Sequence, residues 1–268
     1  MNQLKDYRYG KMLFNVNDVY IGRSLQFYGE FSEGECEAFR QVIRPGMTVL
    51  ELGANIGSHT VCLAKLVGPR GKVIAFEPQR IVFQSLCANV ALNDLQNVDC
   101  RQQAVGDKVG IVIMPRLDYT KEFNFAGISV GLADVGDEVP LTTVDDLELT
   151  ACHFIKMDIE GMEQAAILGA QKTILRFKPF LYVENDRPDQ SASLIKMIHD
   201  LEYKMYWHTP PLFNPANYLG NSQNIFGQIV SKNMICIHKS IQQTVDCPEV
   251  STAETGTQGA LSRPWALM

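Results

Sequence analysis

Four short apolar runs, each with an acid at its end, constrain this chain more than any other feature. They are TVLEL (48–52, with Glu51), KVIAF before Glu77, FIKM before Asp158, and FLYV before Glu184. Helix-length stretches lie between and after them, at 56–67, 80–92, from Glu163 towards Phe177, and 191–201. Further strands are expected at 98–103 and in KMYWH (204–208). Strands alternating with helices of this length form βαβ units and a mostly parallel α/β sheet with helices on both faces. Ligands of such open sheets sit beyond the carboxyl ends of the strands. Glu51–Gly57, Glu77, Asp158–Gly161 and Glu184–Asp186 are therefore expected along one edge.

Residues 1–32 read as an appended N-terminal segment with a hairpin around Asn15–Asp18, residues 33–239 as the main domain, and residues 240–268 as a polar, disordered tail. SEGECEAFRQVI predicts a helix with Ser32 as N-cap and Glu35 completing a capping box. Residues 108–143 are irregular, with β-like pieces at Ile111–Met114 and Ile128–Val130, and a short helix is expected near Thr143 or Asp145. The chain has 268 residues, 46% hydrophobic and 20% charged, which is ordinary globular composition. A net charge of −6 argues against nucleic acid as a partner. Seven cysteines without a C-x-x-C suit reduced thiols in the cytoplasm. The N-terminus lacks a signal-peptide core, and no run approaches the roughly 18 apolar residues of a membrane span. A homo-oligomer stays open.

The loop after the first strand reads GANIG (53–57), not G-x-G-x-x-G, and no G-K-[ST] follows it. A phosphate cradle needs converging backbone N–H groups, often a lysine, and no carboxylate nearby. Glu51 stands just before this loop, where it repels an anion and attracts a cation. S-adenosylmethionine carries a sulfonium and an ammonium and no phosphate, so it suits the loop. Glu77 falls where an acid that bonds ribose hydroxyls is expected. QQAVGD (102–107) falls at the expected adenine edge. The candidate cofactor contacts are Glu51, Gly53, Ala54, Asn55, Gly57, Ser58, Glu77, Pro78, Ala104 and Asp158. An NAD-dependent oxidoreductase would share the sheet and the ribose acid, but Glu51 would crowd its diphosphate. A cofactor-binding partner subunit without chemistry also stays open.

PGMTVLELGANIGSHT, VIAFEP, NVALNDLQNV, AVGD, LTTVDDL and FIKMDIEGMEQAAILGA occur in this order. The set resembles the FkbM-type S-adenosylmethionine-dependent methyltransferases over residues 28–190, and more weakly to 238. The resemblance implies a Rossmann-like class I methyltransferase sheet. It also implies methyl transfer to an oxygen of a sugar or polyketide, so the expected acceptor is a small molecule or a glycan. Glu51, Gly53, Asn55 and Gly57 match the family's cofactor loop, Glu77 its ribose acid, and Asp158, Glu160 and Gly161 its D-x-E-G signature. N-methylation or nucleic-acid methylation is the alternative within the enzyme class, although no N-P-P-Y-type motif is present.

An aliphatic hydroxyl is a poor nucleophile at neutral pH, so a base or a metal would help transfer to oxygen. Asp158 and Glu160 are the candidate catalytic acids beside the methyl. Lys156 is expected to point to the opposite face and pair with an acid. Glu184 and Asn185 at the next strand end, with Asp158, resemble the magnesium site of catechol-type O-methyltransferases, and oxygen ligands suit Mg²⁺. The other reading is that the ENDRP residues cap a helix. His208, in a long Pro- and Asn-rich segment, is the candidate base. Tyr119, Phe123, Asn124 and Phe125 could line the acceptor or be half-buried core.

Overall fold

The computed structural model describes residues 1–128 and 134–251. A hairpin of β1 (Asn2–Tyr7) and β2 (Gly10–Asn15) leads through α1 (Ile21–Tyr28) and α2 (Glu33–Val42) into the first central strand, β3 (Thr48–Leu52). Next come α3 (Ser58–Val67), β4 (Lys72–Phe76), α4 (Arg80–Leu92) and β5 (Val98–Arg101). A small three-stranded sheet follows, from β6 (Ala104–Val105), β7 (Gly110–Met114) and β8 (Asp137–Thr142). The chain returns through β9 (Phe154–Met157), α5 (Glu163–Leu168), α6 (Gln171–Phe177) and β10 (Phe180–Glu184). It closes with α7 (Pro188–Asp200), β11 (Tyr203–His208) and β12 (Asn233–His238).

The central sheet has seven strands in the order β11-β12-β10-β9-β3-β4-β5. β12 runs antiparallel to both its neighbours, and the pairs among β10, β9, β3, β4 and β5 are parallel. The sheet is thus the mostly parallel α/β arrangement expected from the alternation. Because side chains alternate along a strand, each strand feeds two cores. Leu50, Leu52, Ile155, Met157, Leu181 and Val183 pack with Ala166, Ile167, Ile174, Leu194 and Ile198 of α5, α6 and α7. Val49, Val73, Phe154 and Tyr182 pack with Phe39, Val42, Leu63 and Leu86 of α2, α3 and α4. Burial of each large apolar side chain contributes about 1.5–3 kcal/mol. These two cores hold the strand ends of one edge in register.

Several local expectations are corrected. The hairpin turns at Arg8–Tyr9. At Gly10, with φ +143°, a Cβ would meet Oδ1 of Asn93, the residue that follows α4. Asn15–Asp18 instead forms side-chain-stabilised turns, in which Asn15 Oδ1 accepts from Asn17 N–H and Asp18 Oδ1 accepts from Tyr20 N–H. The Ser32–Glu35 box closes side chain to side chain, Ser32 Oγ donating to Glu35 Oε1 at 2.8 Å. The helix expected from Glu163 to Phe177 is broken at Gly169, where a Cβ would clash with the Gly106 carbonyl. Asp145 caps the second piece by accepting from Lys172 and Thr173 N–H.

Of the stretch expected as a tail, residues 240–251 run back to the sheet. Val250 is buried, and its N–H donates to the Met205 carbonyl. Residues 252–268, and most of the piece expected at Ile128–Val130, lie outside the described residues. Among the described residues, no helix is long and apolar enough to cross a membrane.

Candidate active site

Beyond the carboxyl ends of β3, β4 and β9 lies a recess of roughly 450 Å³ including its open mouth. Gly53, Glu77, Pro78, Ala104, Asp158 and Glu160, all singled out from the sequence, line it. Phe76, Gln79, Gln103, Val105, Ala126, Ile128, Ile159 and Met162 complete the wall. Among these residues three are acids and none is basic, which suits a cationic ligand over a phosphate.

The glycine loop is shaped by its contacts. Gly53 sits at φ +82°, and a Cβ there would lie 1.9 Å from the Asp158 carbonyl, so the loop lies directly on the D-x-E-G turn. Gly53 and Ala54 N–H both donate to the Phe76 carbonyl. Glu77 accepts from Asn55 N–H at 3.0 Å and Gln79 N–H at 2.8 Å, and burial pushes its carboxyl up to about 7. Glu51, Ala54, Asn55, Gly57 and Ser58 stand behind the wall rather than in it. Glu51 is buried beneath the loop. Its Oε2 accepts from Thr60 Oγ at 2.6 Å, and its Oε1 has no hydrogen-bond partner. Burial raises its carboxyl to about 7, although Lys156 pulls it down.

Lys156 is the main residue the sequence reading misplaced. It shares a face with Asp158, as residues two apart on a strand do, and its Nζ donates to Asp158 Oδ2 at 2.8 Å. The Lys156 side chain is 2% exposed and that of Asp158 37%. Burial would depress the ammonium, but Asp158, Glu35 and Glu51 outweigh it and hold it above its ordinary range. Two further residues organise the D-x-E-G turn. Glu163 Oε1 accepts from Ile159 and Gly161 N–H at 3.1 and 3.3 Å. Arg187 Nη2 donates to Glu160 Oε2 at 2.9 Å and lies against Gly161.

Carboxylate oxygens of Asp158, Glu160 and Glu184 lie within 4.8 Å of one another. Burial, then the neighbouring Asp158, Glu160, Asp186 and Glu163, push the Glu184 carboxyl well above its usual range. The expected magnesium set of Asp158, Glu184 and Asn185 is not assembled. Asn185 follows Glu184 directly, so its side chain turns to the other face, where its Nδ2 donates to Met234 Sδ at 3.3 Å. Asp158 and Glu160 each already face a protein cation. The acids that do converge, Asp158, Glu160 and Glu184, are thus not the expected set.

His208 is not part of the recess. It ends β11, with β12 and β10 between it and β9. Its Nδ1 meets Tyr182 Oη at 2.7 Å, and burial lowers its pKa. Phe125 is buried and Tyr119 half-buried, their ring centroids 4.7 Å apart and the rings tilted by 40°. The recess itself receives Ala126 and Ile128 from that segment.

Comparison with solved structures places similar folds beside this one. A methyltransferase FkbM from Methylobacillus flagellatus KT aligns at 18% identity and TM-score 0.47, over 75% of this chain and 50% of that one. The present chain thus spans half the length of that protein. A precorrin-6y C5,15-methyltransferase from Geobacter metallireducens GS-15 aligns at 12% identity and TM-score 0.48, over 78% and 87% of the two chains. Fibrillarin from Aeropyrum pernix, in complex with S-adenosyl-L-methionine, aligns at 12% identity and TM-score 0.46, over 88% and 82%. The model of the methyltransferase FkbM domain matches residues 51–205, more than half of the chain and all of the residues that line the recess. With the glycine loop, Glu77 and the D-x-E-G turn gathered on one sheet edge, this chain belongs to the methyltransferase FkbM family.

Proposed function

We propose that the protein methylates a hydroxyl oxygen of a sugar, glycan or small natural product, with Asp158 as the general base. The observation that carries this reading is the position of Asp158. It lines the donor recess, it is the exposed member of its ion pair, and Lys156 holds it from below. When bound, S-adenosylmethionine supplies an electrophilic methyl group on sulfur. Glu77 would take the ribose hydroxyls. The unpartnered Oε1 of Glu51 supports a role for the charge beneath the loop in favouring the donor's cationic end. As the acceptor oxygen bonds to the methyl carbon and the carbon–sulfur bond breaks, Asp158 takes the hydroxyl proton, and the neutral thioether S-adenosylhomocysteine leaves.

Asp158 and Glu160, which line the recess, disfavour a polyphosphate acceptor. The same acids favour a second reading, transfer to a cationic amine after it loses a proton. A cytoplasmic location is part of the proposal, supported by seven free thiols. The deciding experiment is mass spectrometry after incubation with S-adenosylmethionine and a panel of hydroxylated and amine acceptors. A +14 Da product on a hydroxyl, lost in Asp158→Asn, supports oxygen transfer. A product on an amine only would replace it with the second reading. Stabilisation by NAD and none by S-adenosylhomocysteine would overturn both.

A further inference from the structure

We propose that the N-terminal segment positions the outer wall of the donor recess through Asn15 and Asn17. That wall is a strap, residues 119–128, lying over the adenosine half. The inference rests on the reading of the recess as the S-adenosylmethionine site.

The strap has no helix or strand of its own, so its shape comes from what ties it down. On its inner side Gln79 Nε2 donates to the Phe125 carbonyl at 2.8 Å in a buried bond. Gln79 follows the ribose acid Glu77 by two residues and lines the recess with Pro78 and Ala104, at the expected adenosine end. Asn124 Oδ1 accepts from Ala126 and Gly127 N–H, which turns the chain so that Ala126 and Ile128 reach the recess. A Cβ on Gly127 would lie 3.7 Å from Glu160 Oε1, so the strap also meets the D-x-E-G turn.

On its outer side the strap is held by the N-terminal segment. The Tyr119 carbonyl accepts from Asn15 Nδ2 at 2.9 Å and from Asn17 Nδ2 at 3.0 Å. Phe123 N–H donates to the Asn17 carbonyl, and Val19 N–H to the Phe123 carbonyl. The segment is anchored independently of the recess. Asn89 of α4 bonds both the N–H and the carbonyl of Leu13, and Asn93 does the same for Lys11. Tyr7 Oη donates to the Ser58 carbonyl at 2.5 Å. Helix α4 thus holds the hairpin, and the hairpin holds the strap. Ordering a wall in advance removes that entropy cost from binding. Asn15 and Asn17 act through the strap, so they are positioning residues.

The test is calorimetric titration of the full chain with S-adenosylhomocysteine and with 5′-methylthioadenosine, which carries only the adenosine half and its thioether. In Asn15→Ala/Asn17→Ala, both affinities should fall in parallel by about tenfold, the weight of roughly one net hydrogen bond. Ala126→Trp leaves the Asn15 and Asn17 ties in place and fills the wall. It should weaken both ligands by at least about tenfold, for loss of the space their adenosine needs. A lowered melting temperature with both affinities unchanged in the double variant would overturn the proposal. So would wild-type affinity in Ala126→Trp, which keeps the test decisive if the double variant does not fold. Failure of the wild-type protein to bind S-adenosylhomocysteine is a different result: it removes the donor reading and this inference with it.

Discussion

Lys156 Nζ donates to Asp158 Oδ2 across 2.8 Å, and the two ends of this bond stand in different media. The lysine is buried beside Glu35 and Glu51, while the aspartate reaches the recess. The bond therefore links the sheet interior to the surface where methyl transfer is proposed. Lys156→Met would leave three carboxylates facing one another without their shared cation. Breaking a buried pair typically costs 3–5 kcal/mol, and the partial exposure of Asp158 puts this one near the lower end, about 3 kcal/mol. Urea denaturation of the two proteins measures it, and a loss below about 1 kcal/mol would show that the pair is screened.

The sheet and the recess floor were legible because their signals are local. An apolar run ending in an acid names a strand and its carboxyl end together, as at Glu77 and Asp158. Gly53 and Gly57 mark a left-handed loop within five residues. Lys156 was legible as an anomaly, since a lysine inside an apolar strand needs a partner. Its face follows from the two-residue spacing to Asp158. What was not legible depends on segments distant in the chain. Ala126 and Ile128 enter the wall only because Asn15, Asn17 and Gln79 pin a strap that has no periodicity. The misplacing of Asn185 came from grouping neighbours that a strand sends to opposite faces, and that of His208 from a segment whose strand, β11, has two others between it and β9.

Asp158→Asn should separate chemistry from binding. The amide keeps the shape and a donor–acceptor pair toward Lys156 but cannot take a proton. Turnover on the acceptor found by mass spectrometry should fall by about 10²–10⁴, the usual weight of a general base. The dissociation constant for S-adenosylhomocysteine should change by less than about threefold, within roughly one weak hydrogen bond. Stopped assays and calorimetry on the same sample read the two effects. Turnover within a factor of about three of the wild type would remove Asp158 as base.

Glu51 gives a pH dependence whose sign can be worked out. Its folded carboxyl titrates at about 7, above its ordinary value near 4.5. The folded state therefore binds more protons than the unfolded state between these values, and Glu51 destabilises the fold progressively as pH rises through that window. Glu51→Gln removes the titration and can keep the bond from Thr60. Its stability relative to wild type should climb from pH 4.5 to about 7 and then level off. Parallel denaturation curves at pH 5, 6, 7 and 8 test this, and a difference that is flat with pH contradicts a buried, titrating Glu51.

Gly53→Ala tests whether the loop and the D-x-E-G turn are built as one piece. At φ +82° an alanine is strained, and its Cβ would sit 1.9 Å from the Asp158 carbonyl, a backbone atom that no rotamer can move aside. The conformational term alone is about 1–2 kcal/mol, and the clash adds to it. The loop can relieve the clash only by lifting from Asp158, which separates the donor wall from the proposed base. Stability should fall by at least about 2 kcal/mol, and S-adenosylhomocysteine affinity should fall with it by tenfold or more. Gly46→Ala is the control. It also has positive φ, at +89°, but nothing lies within 4 Å of its Cβ and it is outside the recess. It should show the conformational loss without loss of affinity. Equal affinity in the two variants would mean that Gly53 serves the backbone angle alone and not the junction with Asp158.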